Sequence, residues 1–238
     1  MAQASIGNFQ DRTIYDFKNR LTGGGARANL FECEISFPEL ALSTGASPVS
    51  TTEANIDMRF LIKAAALPAS NLTTISVPFR GRTLKIAGDR VFDTWNVTVL
   101  NDTNFRLRNA FEKWSNYINR HDDNSGVITP ASYQREIIVH QLSRGTTATT
   151  TTQDKAPSTN SSIPILKSYR LYGCYPSTVD AIPLSYDTTD TIEEFNVTFE
   201  VQWWDAYDPQ GKKLFDTSEP NGTAPTIGTT GLNQTQFT

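Results

Sequence analysis

One late stretch, TIEEFNVTFEVQWW (191–204), constrains this chain more than any other. Phe195, Val197, Phe199, Val201 and Trp203 alternate with Glu194, Asn196, Thr198, Glu200 and Gln202. Successive side chains of an extended strand point to opposite faces, so one face here is apolar and the other is polar, with carboxylates and no base. The apolar face must be buried, and a slip of one residue would turn it out into water. A strand with one dry and one wet face belongs in an antiparallel sheet.

Other segments repeat the pattern. In LFECEISF (30–37), Phe31, Cys33, Ile35 and Phe37 oppose Glu32, Glu34 and Ser36. MRFLIKAAAL (58–67) reads as a strand closed by Pro68, and NLTTISVPF and RTLKIAG as a strand pair turning near Gly81. Gly88-Asp89 reads as a tight turn. In FDTWNVTVL, Trp95, Val97 and Val99 face inward, and Asp102 is placed to N-cap a helix. In that helix Leu107, Ala110, Phe111, Trp114 and Ile118 recur at helical spacing; it is amphipathic and is ended by HDDNSG (121–126). YQREIIVHQL (133–142) and IPILKSYRLYGCYP (163–176) complete the strands. RTIYDFKNRL (12–21) predicts a short helix, stopped by a Gly-rich hinge. Residues 38–55 read as a Ser/Thr/Ala/Pro-rich loop. Residues 143–162 hold no Leu, Ile, Val, Met or aromatic and read as a solvated loop.

No βαβ alternation occurs. The expected fold is mainly β: an antiparallel β-sandwich or β-barrel subunit with one main flanking helix. Trp95, Val97, Phe111, Trp114, Phe195 and Phe199 are its expected core, with Trp95 and Trp114 packing close together. The expected organisation is an arm with a hinge over 1–29, a β domain over 30–206 and a polar extension over 207–238.

Chemistry is sparse. The two cysteines, Cys33 and Cys174, lie in strand-like runs and read as small buried residues. The two histidines, His121 and His140, have no neighbouring ligand partners in sequence. No nucleophile elbow appears, and the GGG at 23–25 lacks the Lys-Ser/Thr of a phosphate loop. Glu193 and Glu194 are strand neighbours pointing apart. We therefore assign no catalytic residue, metal ligand or cofactor, and expect no enzyme. A net charge of −4 argues against a general nucleic-acid grip. No run of 18 apolar residues is present, and the N-terminal residues have no apolar run that would read as a secretory signal.

Charge is unevenly spread. Residues 171–211 carry eight acids, among them Asp187 and Asp190, and no Lys or Arg. Residues 79–90 carry Arg80, Arg82, Lys85 and Arg90 against Asp89 alone. Two such surfaces suit contact between subunits; Gly88 joins that candidate set.

ANLFECEISF, FLIKAAALP, VPFRGRTLKIAGDRVFDTWNVTVLND, NFRLRNAFEKW and IEEFNVTFEVQWWDA, in this order, resemble the tail tube proteins of contractile-tailed bacteriophages. The resemblance runs from about Ala28 to Ala206. The 38–56 loop, the 143–162 segment and the extension after Ala206 depart from the compact family pattern. The resemblance implies hexameric rings stacked head to tail into a hollow tube inside a contractile sheath. Each subunit would add four strands to a continuous barrel, through which phage DNA passes non-specifically. It implies as partners other copies of the chain, the sheath protein, the baseplate or tube-initiation protein and the tail terminator, with no stable membrane binding. The place would be the virion tail, assembled in the host cytoplasm. Glu194, Asn196, Thr198, Glu200 and Gln202, with Glu32 and Glu34, are the expected channel lining. A tube or baseplate initiator of a related contractile injection or secretion machine is the alternative. A sugar-binding β-sandwich of a virion surface is a further one, because Tyr175 and Tyr207 could stack on sugars.

Overall fold

The computed structural model describes residues 13–21, 24–43, 49–144 and 164–214. The expectations for the first twelve residues, for 145–162 and for the extension beyond residue 214 lie outside the described residues. The fold is the mainly β, antiparallel architecture expected from the strand patterns.

Helix α1 (Ile14–Arg20) is held by a capping box, with Thr13 and Asp16 serving each other's backbone N–H, and buries none of its residues. Strand β1 (Phe31–Ile35) comes next, with Cys33 and Ile35 buried. The segment after it corrects the expected loop. It holds α2 (Glu39–Ser43) and α3 (Thr51–Leu61). Ser50 accepts from the Glu53 N–H at 3.3 Å, and Ala54 and Met58, four apart, bury one stripe. The Ser-x-x-Glu signature of a helix start was legible, but the surrounding Ser, Thr and Pro obscured it. The strand expected over 58–67 shrinks accordingly: Met58–Leu61 end the helix, and β2 is only Ile62–Ala65.

Strands β3 (Asn71–Phe79) and β4 (Arg82–Val91) form a two-stranded hairpin that, among the described residues, joins no other sheet. Arg80 and Gly81 turn it, both at positive φ (46° and 83°), the geometry that matches strand twist. Gly88-Asp89 is not a turn; both lie within β4. The register shifts opposite them, and a Cβ on Gly88 would meet the Thr73 hydroxyl at 2.5 Å. That close approach, rather than a reversal, is the reason for glycine.

Strand β5 (Trp95–Leu100) buries Trp95, Val97 and Val99 as expected. Helix α4 (Arg106–Ile118) buries Leu107, Ala110, Phe111 and Trp114. Asp102 is not the residue immediately before the helix; Phe105, at φ 52°, is. The Asp102 carboxylate still accepts from the Arg106 N–H at 2.9 Å, satisfying a first-turn donor. After α5 (Pro130–Tyr133) come β6 (Arg135–Leu142) and the long β7 (Ile165–Val179).

The strand expected over 191–204 is two strands, β8 (Glu194–Glu200) and β9 (Trp203–Tyr207). They pair with different parts of β7: β8 with Tyr175–Val179, β9 with Ser168–Tyr172. The chain steps across at Val201-Gln202, where the Gln202 N–H reaches the Tyr172 carbonyl at 3.1 Å. Gly173, at φ 64°, makes room, since a Cβ there would lie 2.5 Å from the Gln202 side chain. Trp203 therefore leaves the apolar row and stacks half-exposed on Tyr172 at 5.3 Å.

Strand β7 thus belongs to two faces of the structure. One sheet runs β1-β6-β7-β9 and the other β7-β8-β5-β2. Phe111 lies 6.3 Å from Phe195 and 5.9 Å from Phe199, with Phe37 behind at 5.1 Å, so α4 seals the dry face of the second sheet. Trp95 and Trp114 are both buried and share Phe199 as a neighbour, at 5.7 and 6.1 Å.

Candidate functional site: a polar sheet face and an exposed hairpin

Among the described residues, no element covers one face of the second sheet. On β8 it presents Glu194, Asn196, Thr198 and Glu200; on β5, Asn96, Thr98 and Leu100; on β2, Ala64; on β7, Tyr175 and Thr178. The registers that place Val97 opposite Val197 in the core place Thr98 opposite Asn196 on this face, and their side chains hydrogen-bond at 2.8 Å. Alternation forces both outcomes at once. Because α4 covers the other face, this polar surface and the wet side of α4 look in opposite directions.

The base content of this face was not legible in β8 alone. Lys63, from the edge strand β2, forms an ion pair with Glu194, so Glu200 is the carboxylate on β8 without a basic partner among the described residues. Glu200 stands opposite Tyr175, whose phenol is pushed above its ordinary range by burial first and by that carboxylate next. Gln202 does not share the face; it sits in the step between β8 and β9, over Gly173.

Glu32 and Glu34 lie elsewhere. They are on the wet face of the first sheet, where Arg59 of α3 bridges both carboxylates. His140 stands opposite Glu32, bonds the Ser168 hydroxyl at 2.7 Å and comes within 3.9 Å of Glu34. Burial holds its proton affinity below the ordinary value despite the carboxylates. Sequence reasoning grouped these glutamates with Glu194 because each alternates with apolar residues, a pattern that does not tell one sheet from another.

Arg80, Arg82, Lys85, Gly88, Asp89 and Arg90 all fall on the hairpin. It has a face of its own: Ile75, Val77 and Phe79 on β3 stand opposite Ile86, Leu84 and Arg82 on β4, and the five apolar side chains among them are exposed. Thr74, Ser76 and Lys85 take the reverse side. A two-stranded ribbon with an uncovered apolar face is marginal in water and calls for a surface to lie on. Asp187 and Asp190 are far along the chain, in the loop between β7 and β8, and are in no ion pair among the described residues.

Ordinary reactive chemistry finds little here. Burial pushes the Cys33 and Cys174 thiols up to about 12, leaving them protonated and unreactive. Tyr175 packs edge-on against Tyr133 at 5.6 Å, and the Tyr207 ring carries the Arg170 guanidinium 4.9 Å from its centre while its hydroxyl is bonded to Tyr172 at 2.8 Å.

A β-sandwich whose second sheet keeps, among the described residues, one polar face and both edges open, beside a hairpin with an exposed apolar face, is a building block for assembly. A family model described as phage tail tube protein matches residues 26–207. The chain belongs to the phage tail tube protein family. Its relatives include the tail tube protein gp19 of Enterobacteria phage T4, 29% identical over 184 residues, covering 77% of this chain and 93% of the relative. The tail tube protein of Serratia phage KSP90 is 25% identical, covering 77% and 90%. Among solved structures, the sheath–tube complex of an extracellular contractile injection system aligns with a TM-score of 0.47 at 11% identity, covering 80% of this chain and 97% of that one.

Proposed function

We propose that this chain forms hexameric rings that stack into the hollow tail tube of a contractile-tailed phage and conduct its DNA at ejection. The observation that carries this is the second sheet. It has four strands, a dry face sealed by α4 and a wet face left open. Its margins are β2, which pairs only with β5, and the 175–179 part of β7, which pairs only with β8 among the described residues. Unpaired margins invite edge-to-edge joining, and closing a ring removes them.

Six copies bring about 24 strands. At ~4.8 Å spacing and ~40° tilt these make a barrel roughly 50 Å across, with a bore on the order of 40 Å after side chains, wide enough for duplex DNA. The wet face then lines the bore with Asn96, Thr98, Glu194, Asn196, Thr198 and Glu200. Among the described residues its one lysine, Lys63, is paired with Glu194. Cations bound to phosphate add counterion-release affinity, so a lining of this kind lets DNA slide. The hairpin, with Arg80, Arg82, Lys85, Gly88, Asp89 and Arg90, lies against neighbouring copies. The sheath surrounds the α4 side, and the baseplate or tube-initiation protein and the tail terminator close the two ends. The finished tube belongs to the virion tail and assembles in the host cytoplasm. Negative-stain imaging of the purified chain tests the reading: six-fold rings or hollow tubes with a bore near 40 Å are expected. A protein that remains monomeric at high concentration overturns it.

A further inference from the structure

The two halves of α4 carry opposite chemistry. At its start lies the loop between β7 and β8, tied down by the Arg108 guanidinium on the Asp180 carbonyl and by Asn101, whose N–H and side-chain amide both reach Glu193 at 2.9 Å. A turn at 185–188, in which Ser185 accepts from the Asp187 and Thr188 N–H groups at 3.2 and 3.3 Å, lifts Tyr186 fully into solvent. Leu184 is exposed beside it, and the nearby carboxylates Asp187 and Asp190 are in no ion pair among the described residues.

Along the second half of α4 is an open cleft of about 410 Å³. Ala41, Tyr117 and Val127 supply its apolar lining, and Lys113 and Arg120 its cations. The outer wall is preformed. Asn119 bridges to Gly126, the Arg120 N–H donates to the Ser125 carbonyl at 2.8 Å, and the Asp123 carboxylate accepts from the Ser125 N–H at 2.9 Å and its hydroxyl at 2.6 Å. Arg120 pairs with Asp123 only at 3.8 Å with both side chains exposed, and Lys113 reaches the Leu42 carbonyl at 3.4 Å.

The loop is anchored at Arg108 in the first turn of α4 and the cleft is lined from Lys113 to Arg120, roughly 8–18 Å further along the helix, so the two are separate surfaces of one copy that a second copy can bring together. Two unlike surfaces of one subunit make a head-to-tail contact, which propagates from copy to copy. Resting on the self-assembly reading above, we infer that Tyr186, with Asp187 and Asp190, seats in the Lys113/Arg120 cleft of the next copy. The tyrosine ring covers the apolar lining and the carboxylates meet the two cations.

A charge swap tests the contact. Lys113→Glu with Arg120→Glu makes the cleft acidic; Asp187→Lys with Asp190→Asn replaces the two carboxylates near Tyr186 at the loop tip by one cation. Asn is chosen at 190 because that residue sits at φ 55°, which Asn tolerates. Each variant alone is expected to need more than about tenfold higher concentration than the native chain to sediment as tubes, because like charges now meet. Mixing the two variants restores both contacts, cleft to loop and loop to cleft, and assembly is expected to return. So is assembly of one chain carrying all four changes. Circular dichroism checks folding, and if Lys113→Glu unfolds, Arg120→Glu alone serves as the cleft variant. Native tubes together with variants that assemble alone, or a folded pair that fails to assemble when mixed, overturn this contact and leave the tube reading standing. A native chain that never assembles overturns both.

Discussion

Trp114→Ala is the sharpest test of how α4 is held. Trp114 is fully buried, lies 5.6 Å from Phe37 and 6.1 Å from Phe199, and donates its indole N–H to the Tyr133 carbonyl at 2.9 Å. A buried tryptophan removes about 200 Å² from water, worth roughly 5 kcal/mol at ~25 cal/mol per Å². Partial collapse of the cavity offsets some of this, and measured Trp→Ala losses of about 3–5 kcal/mol set the expectation. The Tyr133 carbonyl loses its partner too, which adds about 1 kcal/mol if no water replaces it. Trp114→Phe keeps most of the packing and forgoes only the hydrogen bond and one ring, so about 1–2 kcal/mol is expected. Urea unfolding followed by far-ultraviolet circular dichroism measures both, at a concentration low enough to keep the chain unassembled, since assembly would stabilise the folded state by mass action. A loss below about 1 kcal/mol for Trp114→Ala would refute the claim that α4 is anchored through this ring.

Other perturbations separate surface from core. Replacing Glu194 and Glu200 by Lys is expected to leave tubes intact and to slow DNA passage, most strongly at low salt, measured by ejection kinetics; unchanged ejection at low salt contradicts the lining role. Gly88→Val places side-chain atoms against Thr73, where even a Cβ would lie 2.5 Å from its hydroxyl. It is expected to impair assembly while the melting temperature of the unassembled chain shifts by no more than a few degrees, because the hairpin joins no other sheet among the described residues. His140 faces Glu32, Glu34, Arg59, Arg170 and Ser168, and burial lowers its proton affinity in the folded chain. The unfolded chain therefore takes up the proton first, and this contribution to stability falls as pH drops below about 6.5. His140→Gln is expected to flatten that part of the stability–pH profile, read from denaturant midpoints between pH 7.5 and 5.5.

Much of this protein was determined locally. Period-two alternation decided which of Phe195, Val197 and Phe199, and which of Glu194, Asn196 and Thr198, face the core and the water, because a strand offers no third direction. The 3.6-residue spacing of Leu107, Phe111 and Trp114 decided the buried side of α4 in the same way. Where alternation continued past a break it misled: Trp203 keeps the rhythm of β8, yet Gly173 and Gln202 move it to another sheet edge. Residues 38–56 read as loop because Ser and Thr are poor helix formers, whereas the Ser50 cap and the burial of Ala54 and Met58 outweigh that preference. What only the tertiary structure decided is which separate segments meet. Lys63 reaches Glu194 across 131 positions of chain, Arg59 bridges Glu32 and Glu34, and the acidic loop is anchored at the first turn of α4 while the basic cleft lies along its second half. Such pairings depend on strand order and on how α4 lies across the second sheet, and periodicity within a segment carries no information about its neighbours in space.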